Sequence, residues 1–465
     1  MSSILGLLLS QGYASAFGWS IVTLLEISVK RHMFCSYEKF VLSYVVGMAL
    51  LPLYMVLLFL MGRVFSPLNL FIFAPVPFIV FFIYSKKKKA FFACSESPGD
   101  RRLSVWERVF AGGIIFEAFH SLFRAMIKPI ESFDSVASFA IKAKIFYLSE
   151  SIPADFFKTL ALEFPHPSYP LMIPLQETFV FLSMNSFNDL LVKIIFPAHF
   201  IALLGLFYFT VKVVVGRKGA LLATFLMASM NELNRFSAMG YTDIHFSLYI
   251  SMALMFTYRY LTSGRRERVF LILAGLFSGF SAFTKDAGLF LPILTAILFI
   301  VSIMDNKKIA SHIRGYVAYL GISAVVVSPW IAVRMISGFD QDFVGNRFHY
   351  GGYVIERIIA VLYEFQVNVF NPKKWILLWP VFIVLFIINF KWSLKTELKY
   401  ITWSIFSLFV FYFIFYIVVD PLSFGIDDAY RHSLRSSMHR HLIHVVPIVM
   451  FWMALVFKKA NLRKV

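Results

Sequence analysis

The sequence predicts an all-α polytopic membrane protein. Three observations predict it: 59% of the 465 residues are hydrophobic, only 15% are charged, and apolar stretches long enough to cross roughly 30 Å of hydrocarbon recur from one end to the other. A mean hydropathy of +0.75 agrees. A formal charge of +18 would suggest a nucleic-acid partner in a soluble chain. Here the Lys and Arg sit in short loops between apolar runs, where they report topology and attract anionic lipid headgroups, so no nucleic acid is expected. Cys35 and Cys94 show neither metal-ligand nor redox spacing.

Taken in order, the apolar run from Ile4 lacks a basic leader and a small-residue cleavage site, so it reads as a retained first span. Further spans are expected at 41–61, 68–84, 107–127, 189–211, 217–231, 243–261, 269–284, 287–304, 314–336, 375–390, 399–419 and 441–457, about thirteen helices with the first at 3–28. Positive clusters at Lys86 to Lys89 with Arg101 and Arg102, at Arg217 and Lys218, at Arg265, Arg266 and Arg268, and at Lys307 and Lys308 then mark one cytoplasmic face. Residues 353–373 carry Glu356, Arg357 and Glu364 and read as an interfacial amphipathic helix that does not cross. With that helix on the surface, an inner-membrane protein has its N-terminus outside and its C-terminus inside. Three segments are left outside, 128–188, 337–374 and 420–440, and function is expected there. Short amphipathic helices are expected in the first. The chain divides into leading helices and a cytoplasmic loop over 1–106, to which no function attaches, a central module over 107–336, and an external segment with the last spans over 337–465.

Ionisable residues in hydrocarbon cost about 2.5–3.5 kcal/mol each on insertion scales, so those present need protein or water beside them. Glu117, His120, Arg124 and Lys128 share a helical stripe leading into the first external loop, either as a packing network or as a site wall. That loop opens with Glu131 and Asp134, followed by Lys142 and Lys144. A carboxylate there suits a general base and a nearby cation suits a departing phosphate, while from the residues alone Asp134 reads first as an N-cap of the helix starting at Ser135. His166 and Tyr169 are then held among Pro165, Pro167 and Pro170 in a rigid loop. Asp243 and His245 begin a later span, where Asp243 is again a candidate N-cap. Lys285 and Asp286 occupy a helical hairpin and read as a capping pair or as site groups. Arg431, Arg435 and Arg440 crowd the entry to the last span, against the usual depletion of positive charge outside.

Together these runs resemble the GT-C superfamily of polyprenyl-phosphate-sugar glycosyltransferases, in particular the bacterial branch akin to protein O-mannosyltransferases and aminoarabinose transferases. The resemblance rests on an acid in the first external loop, an H-x-x-Y-P run at His166, Tyr169 and Pro170, the acid at Asp243, a T-K-x-x-G turn at Lys285, and an R-x-L-x-x-x-x-P entry at Arg440. Phe133 stands where the family often has Trp, and Ala287 where it usually has an acid. The resemblance implies Asp134 and Asp243 as the catalytic acids. It further implies His166, Tyr169, Lys285 and Arg440 as substrate-binding groups; Glu131, Lys142 and Arg435 join them from their place in the same segments, and all are expected on the non-cytoplasmic face. Arg suits a phosphate because its planar fork donates to two oxygens and stays charged. The expected reaction is inverting transfer of a sugar from a polyprenyl-monophosphate carrier to a lipid, glycan or protein. Cations neutralise the leaving group, so no cofactor is required, with Mg²⁺ or Mn²⁺ at Asp134, Asp243 and His245 as the alternative. A transporter or lipid flippase, or an O-antigen ligase using a pyrophosphate donor, are the rival readings. A transporter predicts charges near mid-membrane and broken helices.

Overall fold

Helices form wherever the apolar runs lie, because backbone polar groups in lipid must be satisfied within the segment. The computed structural model describes residues 3–30, 32–87, 102–158, 167–263, 267–306, 309–338, 353–418 and 428–462. The first four helices are α1 (Ser3–Ser28), α2 (Ser36–Leu60), α3 (Pro67–Leu70) and α4 (Val76–Lys87). α1 and α2 approach backbone to backbone through small residues, since a Cβ on Gly18 would overlap the Ser43 carbonyl and one on Gly47 the Ala14 carbonyl. Residues from all four helices line a largely apolar lateral cleft of about 1800 Å³, whose far wall includes Leu182, Ala198 and Ile201.

α5 (Val105–Ile127) starts at a capping box in which Ser104 and Glu107 exchange hydrogen bonds. A π-helical turn (Ser135–Ala140) and α6 (Ile141–Leu148) follow it, matching the amphipathic helix expected in this loop. α7 (Met172–Met184) was not expected; it is a buried apolar helix within the stretch assigned to the external loop. Thirteen residues are too few to register as a span, and apolar helices of that length belong in protein cores.

α8 (Ile195–Ala228) breaks at Gly216, whose φ of +80° is open to glycine and strained for other residues. Contacts with α5 show that the chain reverses there. Lys193 donates to the carbonyls of Lys128 and Pro129 past the end of α5, whereas Arg217 pairs with Glu107 at its start. Beyond the break Phe225 meets Gly113, Asn234 meets Glu117 and Ser237 meets Ser121, so the chain climbs back beside α5. Helix thus runs on both sides of this point, where two spans are expected, and its second arm is short. α9 (Asn231–Phe236), α10 (Asp243–Thr262), α11 (Arg268–Thr284), α12 (Leu291–Asn306) and α13 (Ile309–Ser337) complete the central module.

α14 (Val354–Val369) is the amphipathic helix, with Arg357, Ala360, Val361, Glu364 and Asn368 buried at helical spacing. After α15 (Pro372–Trp375) come α16 (Leu378–Lys395), α17 (Leu398–Val418) and α18 (Asp428–Leu462). Among the described residues eight helices are long and apolar enough to cross a membrane, fewer than the thirteen expected. The difference is local. The reversal at Gly216 merges two runs into one, α4 and α11 are short, and Ser, Gln, His and Tyr dilute α1 and α10.

Candidate functional site

Four residues from distant stretches meet where α5 ends and α10 begins. Ser135 Oγ donates to the Met239 carbonyl at 2.8 Å, and Gly240, at φ +83°, turns the chain so that Asp243 opens α10 beside the Asp134 loop. Asp243 is fully buried. Its Oδ1 accepts from Lys285 Nζ at 2.6 Å, and its Oδ2 accepts from Arg440 Nε at 3.0 Å. Arg440 Nη1 then reaches Asp134 Oδ2 at 2.6 Å, so one guanidinium bridges the two carboxylates. Asp134 remains 35% exposed while Asp243 is sealed, and that difference decides which acid a substrate can approach.

The capping alternatives can now be judged by where the side chains go. Asp134 occupies the N-cap position of the π-helical turn but makes no side-chain capping bond. Thr242, not Asp243, is the N-cap of α10. Lys285 and Asp286 do not pair with each other, because Lys285 goes to Asp243 and Asp286 accepts from Arg334 at 2.8 Å. Glu117 and Arg124 both bond the Asn234 amide, at 2.9 Å and 3.4 Å, which ties α5 to α9.

Several residues that the sequence did not single out complete the cluster. His444, one turn beyond Arg440, points Nε2 at Asp243 Oδ1 across 3.1 Å, while the Tyr412 hydroxyl meets its Nδ1 at 2.8 Å. Carboxylate oxygens only accept, so Nε2 carries the hydrogen and Nδ1 accepts from Tyr412. Tyr416 bonds His441 Nδ1, and the His441 ring stacks on Tyr412 at 4.5 Å. The Arg440 guanidinium lies over the Tyr241 ring at 4.6 Å. Burial and the Asp134 carboxylate raise the Tyr241 phenol above its usual range, so it stays an uncharged platform. The i, i+4 spacing of Arg440 and His444 was a signal in the sequence. Tyr412 carried none, since it sits in an apolar helix among many aromatics.

Other expected site residues fall elsewhere. Glu131 is 59% exposed and pairs with Lys128, three residues before it. It lies on the loop surface, where its local partner Lys128 keeps it out of the contacts made by Asp134. Arg435 is 62% exposed and donates to Glu364 on α14 at 2.9 Å, facing the opposite way from Arg440. Lys142 is buried against Tyr169, with Nζ 3.5 Å from its carbonyl and 5.9 Å from its ring centre. Burial pushes the Lys142 amine down to about 7, opposed by the Asp286 carboxylate. His166 lies outside the described residues. His245 points away from Asp243 and stacks on His199 at 3.8 Å, with neither ring nitrogen hydrogen-bonded. Among the described residues no three His, Cys, Asp or Glu side chains converge as a metal-ion group.

Residues 166–332 match the family described as dolichyl-phosphate-mannose-protein mannosyltransferase, a segment containing Tyr169, Asp243 and Lys285. The family resemblance drawn from the motifs is borne out over that segment, which carries the second acid and the hairpin lysine. A solved structure described as ArnT from Cupriavidus metallidurans bound to undecaprenyl phosphate is similar at 13% identity with a TM-score of 0.53. The likeness covers 76% of this chain and 60% of that one, so the chain spans about three-fifths of the neighbour's length and shares its polytopic fold. No curated protein sequence matches the chain.

Proposed function

We propose that this protein is a membrane glycosyltransferase that moves a sugar from a polyprenyl-monophosphate carrier to an acceptor hydroxyl, with inversion, on the non-cytoplasmic face. The observation that carries the reading is Arg440 clamped between a sealed acid and an accessible one. Asp243, with Lys285 and His444, fixes one edge of the guanidinium. Its other edge is held only by Asp134, the partner open to solvent. A donor phosphate approaching this edge replaces the Asp134 carboxylate on Arg440, gaining two charge-assisted donors with Lys285 close by. Displacement frees the Asp134 carboxylate from its cation at the moment an acceptor hydroxyl needs a base. The hydroxyl loses its proton to Asp134 and attacks the anomeric carbon, and the phosphate leaves onto Arg440 and Lys285. Those cations neutralise the leaving charge, and the reaction as proposed requires no divalent ion.

The ArnT neighbour binds undecaprenyl phosphate, which supports a lipid-linked donor here. A largely apolar groove of about 320 Å³ lies between α14, α17 and α18, with Val361, Phe365, Phe409 and Val445 among its walls. Tyr412, Tyr416 and His441 wall the groove on the side of Asp243, so a tail lying in it runs beside the cluster. The test is transfer by purified protein from a panel of polyprenyl-phosphate sugars. Asp134→Asn is expected to abolish turnover and Arg440→Ala to weaken use of the donor. Wild-type turnover by Asp134→Asn removes it from catalysis, and consumption of pyrophosphate-linked donors alone overturns the monophosphate reading. Activity is expected to survive excess EDTA; loss restored by one metal would replace the metal-free proposal with a divalent site.

A further inference from the structure

A second group of cations stands beside the chamber and takes no part in the mechanism above. α9, α15 and α18 meet there. Arg235 Nη2 donates to Glu232 at 2.9 Å and lies 3.5 Å from His439 Nε2, while its buried Nε has no hydrogen-bond partner. Arginine nitrogens only donate, so His439 Nε2 accepts and its Nδ1 is left to donate to the Arg435 carbonyl at 3.2 Å. Lys374 makes its hydrogen bond, at 2.7 Å, to the neutral Asn368 Oδ1 and not to a carboxylate. Burial lowers this amine and the Arg235 guanidinium lowers it further, against the pull of Glu232 and Glu364. Among the described residues Arg235 thus has one carboxylate in contact and Lys374 has none.

The group is continuous with the chamber. His439 adjoins Arg440 in the chain, the Phe236 ring lies 5.5 Å from His439 and 5.3 Å from Tyr241, and Tyr241 carries the Arg440 guanidinium. An external rim is normally depleted of Lys and Arg. Here it holds more cations than one donor phosphate can use.

We infer that Arg235 and Lys374, with His439 between their elements, form a second anion subsite that takes a phosphate or carboxylate group carried by the acceptor. The inference rests on the transferase reading for the word acceptor alone, since the anion chemistry stands on the side chains. An anion at this junction donates nothing and accepts from Arg235 Nε and the Lys374 amine, the two groups with unused capacity. It also sets the acceptor beside Tyr241, facing Asp134.

The test is the rate at which an amine-acylating reagent modifies Lys374 in the full chain, held in phosphatidylcholine nanodiscs and read by mass spectrometry. Inorganic phosphate is compared with chloride at equal ionic strength. Phosphate is expected to slow acylation of Lys374 several-fold and leave exposed Lys373 unchanged. The protection is expected to vanish in Arg235→Gln and to return in Arg235→Lys. Equal Lys374 rates in phosphate and chloride overturn the subsite. Protection by phosphatidylglycerol in place of phosphatidylcholine, without dissolved phosphate, assigns the anion to bulk lipid headgroups and overturns its link to the acceptor. Undecaprenyl phosphate is expected to protect Lys285 and not Lys374. Failure at Lys285 counts against the donor reading, failure at Lys374 against this one.

Discussion

Asp243 shows how one buried carboxylate can gather a cluster of donors. A buried carboxylate costs several kcal/mol unless it is paired and hydrogen-bonded, and Lys285, Arg440 and His444 all donate to this one. Removing a single donor should therefore loosen the guanidinium more than it unfolds the chain. His444→Phe is expected to lower turnover roughly ten- to a hundredfold, since a hydrogen bond to a charged group is worth about 1.5–3 kcal/mol. Tyr412→Phe, which frees His444 Nδ1, is expected to follow in the same direction with a smaller loss. Measuring kcat and KM for the donor in both variants checks this; unchanged values in His444→Phe would remove it from the site.

Lys142 gives a prediction about pH. Its folded pKa of about 7 lies below the ordinary lysine value, so the unfolded chain binds the extra proton between those two values. Stability should consequently rise with pH across that window as the penalty on the buried ammonium is relieved. At and below pH 7 the whole penalty is present. Lys142→Met is expected to melt higher than wild type near neutral pH and to lose that advantage as pH approaches 10. Thermal unfolding followed at several pH values reads the difference, and a gap independent of pH contradicts it.

At the scale of elements, turns place the chemistry as much as helices do. Gly240 holds φ at +83°, and a Cβ there would sit 3.2 Å from Ser135 Cβ, where the Asp134 loop meets the start of α10. Gly240→Ala is expected to cost about 1–2 kcal/mol in stability from the left-handed backbone and to reduce activity further by separating Asp134 from Arg440. Gly62→Ala shares the positive φ in open space far from the site and serves as a control for strain alone. Equal activity losses in the two variants would deny Gly240 its positioning role.

The elements also show what the sequence revealed and where it fell short. Asp134, Asp243, Lys285 and Arg440 were legible because each sits in a short motif at the boundary of an apolar run, where a charge needs a reason. His444 was legible by helical spacing and was passed over as one histidine among several near Arg440. Glu131 and Arg435 carried the right charge in the right loops, but side-chain direction separates them from the cluster by a single turn of backbone. α7 was hidden for a different reason: its apolar run is buried by other helices, so its length was never set by the bilayer.

For the whole molecule, the main consequence of the fold is convergence. Residues more than three hundred positions apart meet at Asp134 and Arg440 because the end of α5, the start of α10 and the first half of α18 come together. The leading helices stand apart from that rim and enclose a separate cleft. Gly18→Leu, which drives a side chain into the Ser43 carbonyl, is expected to destabilise the packing of α1 on α2. The chamber does not use that contact. Donor binding should thus persist in whatever fraction of Gly18→Leu remains folded, as judged by binding per folded molecule.

The most direct test of the exchange at Arg440 is the affinity of purified protein for undecaprenyl monophosphate in wild type, Asp134→Asn and Arg440→Ala. If the phosphate takes the guanidinium edge that Asp134 holds, Asp134→Asn should bind more tightly than wild type, because the competing charge is gone, and Arg440→Ala should bind weakly. Weaker binding by Asp134→Asn together with unchanged binding by Arg440→Ala would contradict the account.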